Sequence, residues 1–135
     1  MTAHESKLHH VAVGSPDVAR LAAFYREVFG LAELTRHLDA GGALRSIWLD
    51  LGGAILMIEH TSGEPRAVDG VAAGPFLLAF RVSAAERSRL EAELVARGLA
   101  IDSRTAFSSY SRDLDGNRVA VSHYPDPGPP ARAPG

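Results

Sequence analysis

The chain has 135 residues and a mass of 14.3 kDa, a size that fits one domain. Its 46% hydrophobic and 22% charged residues are typical of a globular protein and exclude a disordered one. A formal net charge of −2 argues against nucleic-acid binding, and zero cysteines exclude disulfides and thiolate metal sites. No run approaches the roughly 18 apolar residues of a membrane span, so we expect a cytoplasmic protein that does not bind membranes.

The first half of the chain predicts one strand, one helix and three further strands. Residues 8–14 form a short β-branched run that ends at Ser15, Pro16 and Asp17. We expect Ser15 to cap the helix, Pro16 to occupy its first position and Asp17 to complement its dipole. Apolar residues then recur at helical spacing as far as Gly30. The three strands that follow are predicted at residues 32–38, 45–51 and 54–60, with glycine pairs at 41–42 and 52–53 as hairpin turns.

The second half repeats this order after a loop at residues 61–74. Ser83 and Glu86 have the spacing of a capping box, and they predict a second helix that ends at Arg97 and Gly98. Ser83 lies 68 positions after Ser15, and the helix ends are offset equally, which indicates a two-fold internal repeat. The strands of this half are predicted at residues 76–82, 99–102, 105–111 and 118–124, with a turn at 113–117 before the last.

The end of the chain has a different composition. Five of the eight prolines lie between Pro125 and Pro134, and such a segment cannot bury enough surface to fold. We therefore expect a single domain over residues 1–124, with modules at about 8–60 and 75–124, and a disordered tail over residues 125–135.

Three segments, in this order and on a repeat, resemble the vicinal oxygen chelate superfamily of glyoxalases, bleomycin resistance proteins, fosfomycin resistance proteins and extradiol dioxygenases. They are the strand that begins at His10, the segment from Phe24 to Leu31, and the turn from Asp113 to Asn117. The resemblance implies an α+β fold in which two tandem βαβββ modules form a U-shaped cleft like an open barrel. It also implies a homodimer and a small-molecule ligand in the cleft.

In metal-dependent members of this superfamily, each module supplies one histidine and one glutamate. On the first module the resemblance assigns these roles to His10 and Glu59, and strand alternation puts Ile55, Met57 and Glu59 on one face. On the second module the corresponding positions hold Leu77 and Ala120, which cannot coordinate a metal. We therefore expect no tightly bound cofactor, because two protein ligands rarely retain a divalent ion.

Other roles for His10 and Glu59 remain open. They could bind a zinc, nickel, manganese or iron ion with ligand oxygens completing its coordination. They could also be catalytic without metal, with either residue as a base. It is equally acceptable that His10 is a strand histidine retained for packing and that Glu59 is a solvated carboxylate. His60 and His123 alternate away from the positions where they could replace a ligand.

Further residues are candidates for ligand binding. Arg81 and Arg118 could each hold a carboxylate or phosphate through two hydrogen bonds. Arg81 could instead form an ion pair with Asp50, Glu59 or a partner chain. The resemblance places Trp48, Met57 and Tyr110 on the walls of the cleft, together with Leu77 and Ala120, although aromatic strand residues are often simply core.

Three functions are compatible with these residues. The first is a small-molecule-binding protein with an incomplete metal site. The second is a metal-dependent lyase or dioxygenase that uses His10 and Glu59, so the sequence leaves open whether the protein is an enzyme. The third is a structural dimer with a vestigial cleft.

Overall fold

The first of two βαβββ modules lies on the N-terminal side of Pro65. A computed structural model describes residues 5–66 and 68–128 of the chain, and these divide into two units at Pro65 and Arg66. The elements of the first unit are β1 (His10–Ser15), α1 (Val18–Phe29), β2 (Glu33–Leu38), β3 (Leu44–Asp50) and β4 (Ile55–His60). Its sheet has the strand order β1-β4-β3-β2, in which only the β1 and β4 pair is parallel.

The second unit has the same order of elements. They are β5 (Leu78–Arg81), α2 (Ala84–Ala96), β6 (Ser103–Arg104), β7 (Ser108–Arg112) and β8 (Arg118–Ser122). The strand order β5-β8-β7-β6 repeats that of the first sheet, again with one parallel pair between the first and last strands. The predicted α+β class and the tandem βαβββ modules are therefore confirmed.

The start of α1 differs from the prediction. Ser15 belongs to β1, and its hydroxyl accepts from the amide of Asp17 at 3.1 Å. Asp17 is the N-cap and accepts from the amide of Arg20 at 3.1 Å, so Pro16 precedes the cap instead of opening the helix. The prediction that Ser15 caps the helix is wrong. Serine and aspartate are both good N-caps, they lie on either side of Pro16, and the helix uses the second of them, Asp17. The predicted end at Gly30 is confirmed by its left-handed backbone, with φ of 69°.

The predicted N-terminus of α2 is confirmed. The Ser83 hydroxyl accepts from the amide of Glu86 at 3.1 Å, which satisfies one of the free donors of the first turn. The helix ends with Arg97 as its C-cap, and Gly98 follows with φ of 84°. The two helix ends are alike in sequence, with Phe29-Gly30 in α1 and Arg97-Gly98 in α2. The C-cap, however, is the glycine in α1 and the arginine in α2.

The strand that was predicted at residues 99–102 is wrong. The amide of Leu99 is bonded to Leu94 of the preceding helix, and the strand β6 covers only Ser103–Arg104. Leu99 cannot join the sheet because the helix cap uses its amide. The first backbone hydrogen bond to β7 is that of the Asp102 amide to Tyr110 at 2.8 Å. The other boundaries agree within two residues, except that β7 begins at Ser108 where residue 105 was predicted.

The core of the first module lies between α1 and one face of its sheet. Ile47 pairs with Ile58, and Leu49 with Leu56, and all four are at most 1% exposed. The helix contacts β1, β3 and β4 through its own buried side chains, which are Val18, Leu21, Ala22, Phe24, Tyr25 and Val28. Alternation then directs Glu59, Met57, Trp48 and Ser46 to the opposite face, which we call the far face of the first sheet.

The core of the second module contains more polar groups. Leu90 and Leu94 of α2 and Val119 and Val121 of β8 are buried. Next to them, Glu91 receives hydrogen bonds from Arg104 at 2.7 and 2.9 Å and from the hydroxyl of Ser109. The hydrogen bonds from Arg104 hold the pKa of the Glu91 carboxyl below its usual value. An ionised carboxylate therefore links α2 to the strands.

Part of the predicted tail lies in the described region. The amide of Asp126 is bonded to the carbonyl of His123, and the amide of Gly128 to the Asp126 side chain at 3.0 Å. Residues 129–135, over which we also expect disorder, lie outside the described residues. Among the residues that are described, no helix is long and apolar enough to cross a membrane.

Candidate functional site

The predicted site residues of the first module lie on the far face of its sheet. In the pairing of β3 with β4, Trp48 is opposite Met57, and Ser46 is opposite Glu59. On the parallel strand β1, Ala12 is opposite Met57 and His10 is opposite Ile55. Because directly opposed residues project to the same face, His10, Trp48, Met57 and Glu59 share it, as alternation predicts.

His10 and Glu59 are not direct neighbours on this face. Glu59 pairs with Gly14, four positions along β1 from His10. Four residues of a strand span about 13 Å, so a single ion held by both would have to lie over Ala12 and Met57. His10 is exposed, and its Nδ1 is 2.9 Å from Nδ1 of His9, a contact that the sequence analysis did not anticipate.

Glu59 is half-buried and has no hydrogen bond or ion pair with any described residue. No group of three or more histidine, aspartate or glutamate side chains in the described part of the chain could hold a metal ion. His60 pairs with Ser15 and so projects to the helix side, as its alternation predicts. The described residues of the first module therefore provide no third donor grouped with the predicted pair.

The second module has small or apolar side chains at the two positions where the resemblance predicted the superfamily's ligands. Ala120 is 3% exposed and lies between Ala79 on β5 and Tyr110 on β7. Leu77 is half-buried and precedes β5 by one residue. His123 is buried against Phe107, and its Nε2 is 3.2 Å from a guanidinium nitrogen of Arg87. This histidine thus has a structural role.

Arg118 is the better supported of the two candidate arginines. Its guanidinium carbon lies 5.7 Å from the ring centroids of both Phe76 and Tyr110, so two aromatic rings position the cation. It is half-buried and has no acceptor among the described residues. Arg81 shares its sheet face but is exposed at the end of β5 and forms no ion pair in the described part of the chain. The arrangement leaves the edges of the Arg118 guanidinium available for an anionic group.

Sequence reasoning missed two polar residues on the far face of the first sheet. Ser46 is 0% exposed, and its Oγ, Nε2 of His37 and Nε1 of Trp48 are buried without a hydrogen-bond partner among the described residues. Alternation along β3 puts Ser46 on the same face as Trp48 and could have indicated it. His37 was missed because its pairing with Ser46 depends on a register irregularity in β2.

The chain matches a known family and several solved structures. The family model of the glyoxalase/bleomycin resistance protein/dioxygenase superfamily matches residues 7–121. No curated protein matches the chain significantly. A lactoylglutathione lyase of Agrobacterium tumefaciens is 24% identical with a TM-score of 0.62, and the alignment covers 87% of this chain and 93% of that one.

Two further structures support the same fold. A mutant of the fosfomycin resistance protein FosX of Listeria monocytogenes, in complex with Mn(II) and a dihydroxypropylphosphonic acid, is 18% identical with a TM-score of 0.73, covering 89% of this chain and 94% of that one. An integron cassette protein of Vibrio cholerae is 22% identical with a TM-score of 0.63, covering 92% and 99%. At this identity the structures establish the fold alone. The family match over residues 7–121 shows that the chain belongs to the glyoxalase/bleomycin resistance protein/dioxygenase superfamily.

Proposed function

We propose that this protein binds a small molecule with a carboxylate or phosphonate group and does so without a complete metal site. The observation that carries the proposal is Arg118, a half-buried guanidinium held between Phe76 and Tyr110 with no acceptor among the described residues. A buried or partly buried charge without a partner is costly, and a ligand anion would supply that partner. A planar guanidinium matches carboxylate and phosphonate oxygens with two parallel hydrogen bonds.

The donor set does not fit a tightly held metal. Ala120 contributes a methyl group where the superfamily resemblance calls for a carboxylate, and Leu77 contributes an isobutyl group in place of an imidazole. His10 and Glu59 are a pair four strand positions apart, whereas divalent ions in proteins usually have three or more protein ligands. We therefore assign no step of the function to a metal.

The proposal is tested by the melting temperature of the chain in a metal chelator with a panel of short carboxylates and phosphonates. We expect at least one compound to raise the melting temperature saturably, since a ligand at one hundred times its Kd stabilises the native state by about 2.7 kcal/mol. Arg118→Met should abolish this rise. Arg81→Met is the matched control on the same sheet face and should preserve it. A panel without effect, or equal losses in both variants, would contradict the proposal.

A metal-dependent lyase or dioxygenase is the second candidate, because His10 and Glu59 do share the far face. Its test is elemental analysis after incubation with zinc, nickel, manganese or iron(II). We expect no stoichiometric metal in wild type or in Glu59→Ala, because two protein ligands compete poorly with water for a divalent ion. About one equivalent in wild type, lost in Glu59→Ala, would favour the metalloenzyme. The homodimer and the cytoplasmic location stay predictions.

A further inference from the structure

The far face of the first sheet carries a row of polar side chains whose polar atoms have no hydrogen-bond partner among the described residues. Glu59 on β4 is directly opposite Ser46 on β3, and Ser46 is directly opposite His37 on β2. Trp48 lies two residues along β3 from Ser46, and its ring centroid is 4.8 Å from that of His37. We call these four residues the polar row.

The polar atoms of this row are buried but unsatisfied. Ser46 is 0% exposed, and its Oγ, the His37 Nε2 and the Trp48 Nε1 have no hydrogen-bond partner among the described residues. The Glu59 carboxylate is half-buried and equally without one in this part of the chain. Buried polar groups are satisfied in the great majority of proteins. These three atoms lie on one face, beside a Glu59 carboxylate that has no partner among the described residues. They mark a place where a group from outside the chain gains hydrogen bonds once the side chains that cover it move aside.

The chemistry of the row restricts what can bind. The indole nitrogen of Trp48 can only donate, so it requires an acceptor, whereas an ionised Glu59 carboxylate can only accept, so it requires a donor. The hydroxyl of Ser46, between them, can do either. Trp48 and Glu59 are diagonal neighbours on adjacent strands, about 7–8 Å apart at their backbones. The complementary group therefore has a donor and an acceptor side by side and no negative charge, because Glu59 would repel an anion.

We propose that the polar row binds the neutral carboxamide group of a small molecule, with its carbonyl oxygen toward Trp48 and Ser46 and its amino group toward Glu59. A carboxamide keeps its carbonyl and amino groups in one plane and stays uncharged. The inference rests on the proposed function in that both concern a small-molecule ligand. The polar row does not include Arg118, however, so the binding of a neutral probe tests the inference independently of Arg118.

The test uses the single tryptophan of the chain, whose indole N–H yields one resolved NMR cross-peak. The probes are acetamide, acetone and acetate, which are similar in size but differ in donor and charge. We expect acetamide to shift the cross-peak saturably and acetone or acetate to bind at least tenfold more weakly. Arg118→Met should leave the acetamide response unchanged, so a failure of the proposed function does not affect this result.

Two serine variants complete the experiment. Ser46→Ala should weaken the acetamide response at least tenfold, while its melting temperature without probe stays the same or rises, because the removed hydroxyl has no partner to lose. Ser108→Ala is the control, since the Ser108 hydroxyl is bonded to that of Ser122 at 2.8 Å on the other module, and its response to acetamide should match wild type. An unmoved cross-peak, an equal response to acetone, or a lowered melting temperature in Ser46→Ala would overturn the inference.

Discussion

Replacing Arg87 with alanine is expected to lower the free energy of unfolding by about 3 kcal/mol, the range in which removing one member of a buried charged network falls. Its guanidinium donates to Oγ of Ser109 at 2.7 Å and to the carbonyls of Thr105, Ala106 and Ser108 at 2.9 to 3.1 Å. It also lies 3.6 Å from the carboxylate of Glu91. One side chain of α2 thus donates to the whole turn before β7, and its loss removes a donor from each of these acceptors.

Urea denaturation of three variants checks this expectation. Arg87→Met keeps the aliphatic part of the side chain and should still lose most of the stability, because the loss arises from hydrogen bonds. Arg89→Ala is the matched control two residues along the same helix, where the side chain is exposed, and it should change stability by about 0.5 kcal/mol or less. Equal stabilities for Arg87→Ala and Arg89→Ala would contradict the assignment of Arg87 as the link between helix and strands.

Replacing Asp113 with alanine is the second change for which we expect a large effect, again about 3 kcal/mol. Asp113 is 2% exposed, and its Oδ1 accepts from the amides of Asp115 and Asn117 at 2.9 Å. Its Oδ2 accepts from the Asn117 side chain at 2.8 Å. Without the carboxylate, these half-buried donors of the turn between β7 and β8 lose the acceptor that holds them.

The first module contains a matched control for this turn. Oδ1 of Asp39 accepts from the amides of Gly41 and Ala43 at 2.9 Å, with the same spacing of two and four residues, but Asp39 is exposed. Water can replace the carboxylate there, so Asp39→Ala should cost about 1 kcal/mol or less. The difference between the two variants measures burial together with the additional hydrogen bond that Asp113 accepts from the Asn117 side chain. Comparable losses in urea denaturation would show that neither contributes.

Local sequence signals were reliable where one residue alone determines the backbone. Gly30 adopts a left-handed conformation that favours glycine, and the Ser83 hydroxyl accepts from an amide three residues later, both as predicted. The same signals failed where two residues compete. Ser15 and Asp17 are both capping types, and the choice of Asp17 depends on Ser15 being paired in β1.

The site was predictable in part. Alternation along β4 correctly put Met57 and Glu59 on one face, because each strand residue projects opposite to its neighbour. Alternation along a single strand gives no information about which residues of other strands are adjacent. The row from Glu59 through Ser46 to His37 depends on the register of three strands, including an irregularity in β2, and so was not foreseen.

The amino-acid sequence by itself determined the α+β class, the two βαβββ modules, the superfamily and the absence of ligating side chains at Leu77 and Ala120. These depend on residue type, spacing and order along the chain, which the sequence states directly. Only the tertiary structure decided that Arg118 contacts the rings of Phe76 and Tyr110 and that the buried Ser46 hydroxyl has no hydrogen-bond partner in the described part of the chain. The reason is physical: burial and hydrogen-bond satisfaction are properties of side chains that approach each other from separate strands, and strand register is set by cooperative packing of the whole sheet.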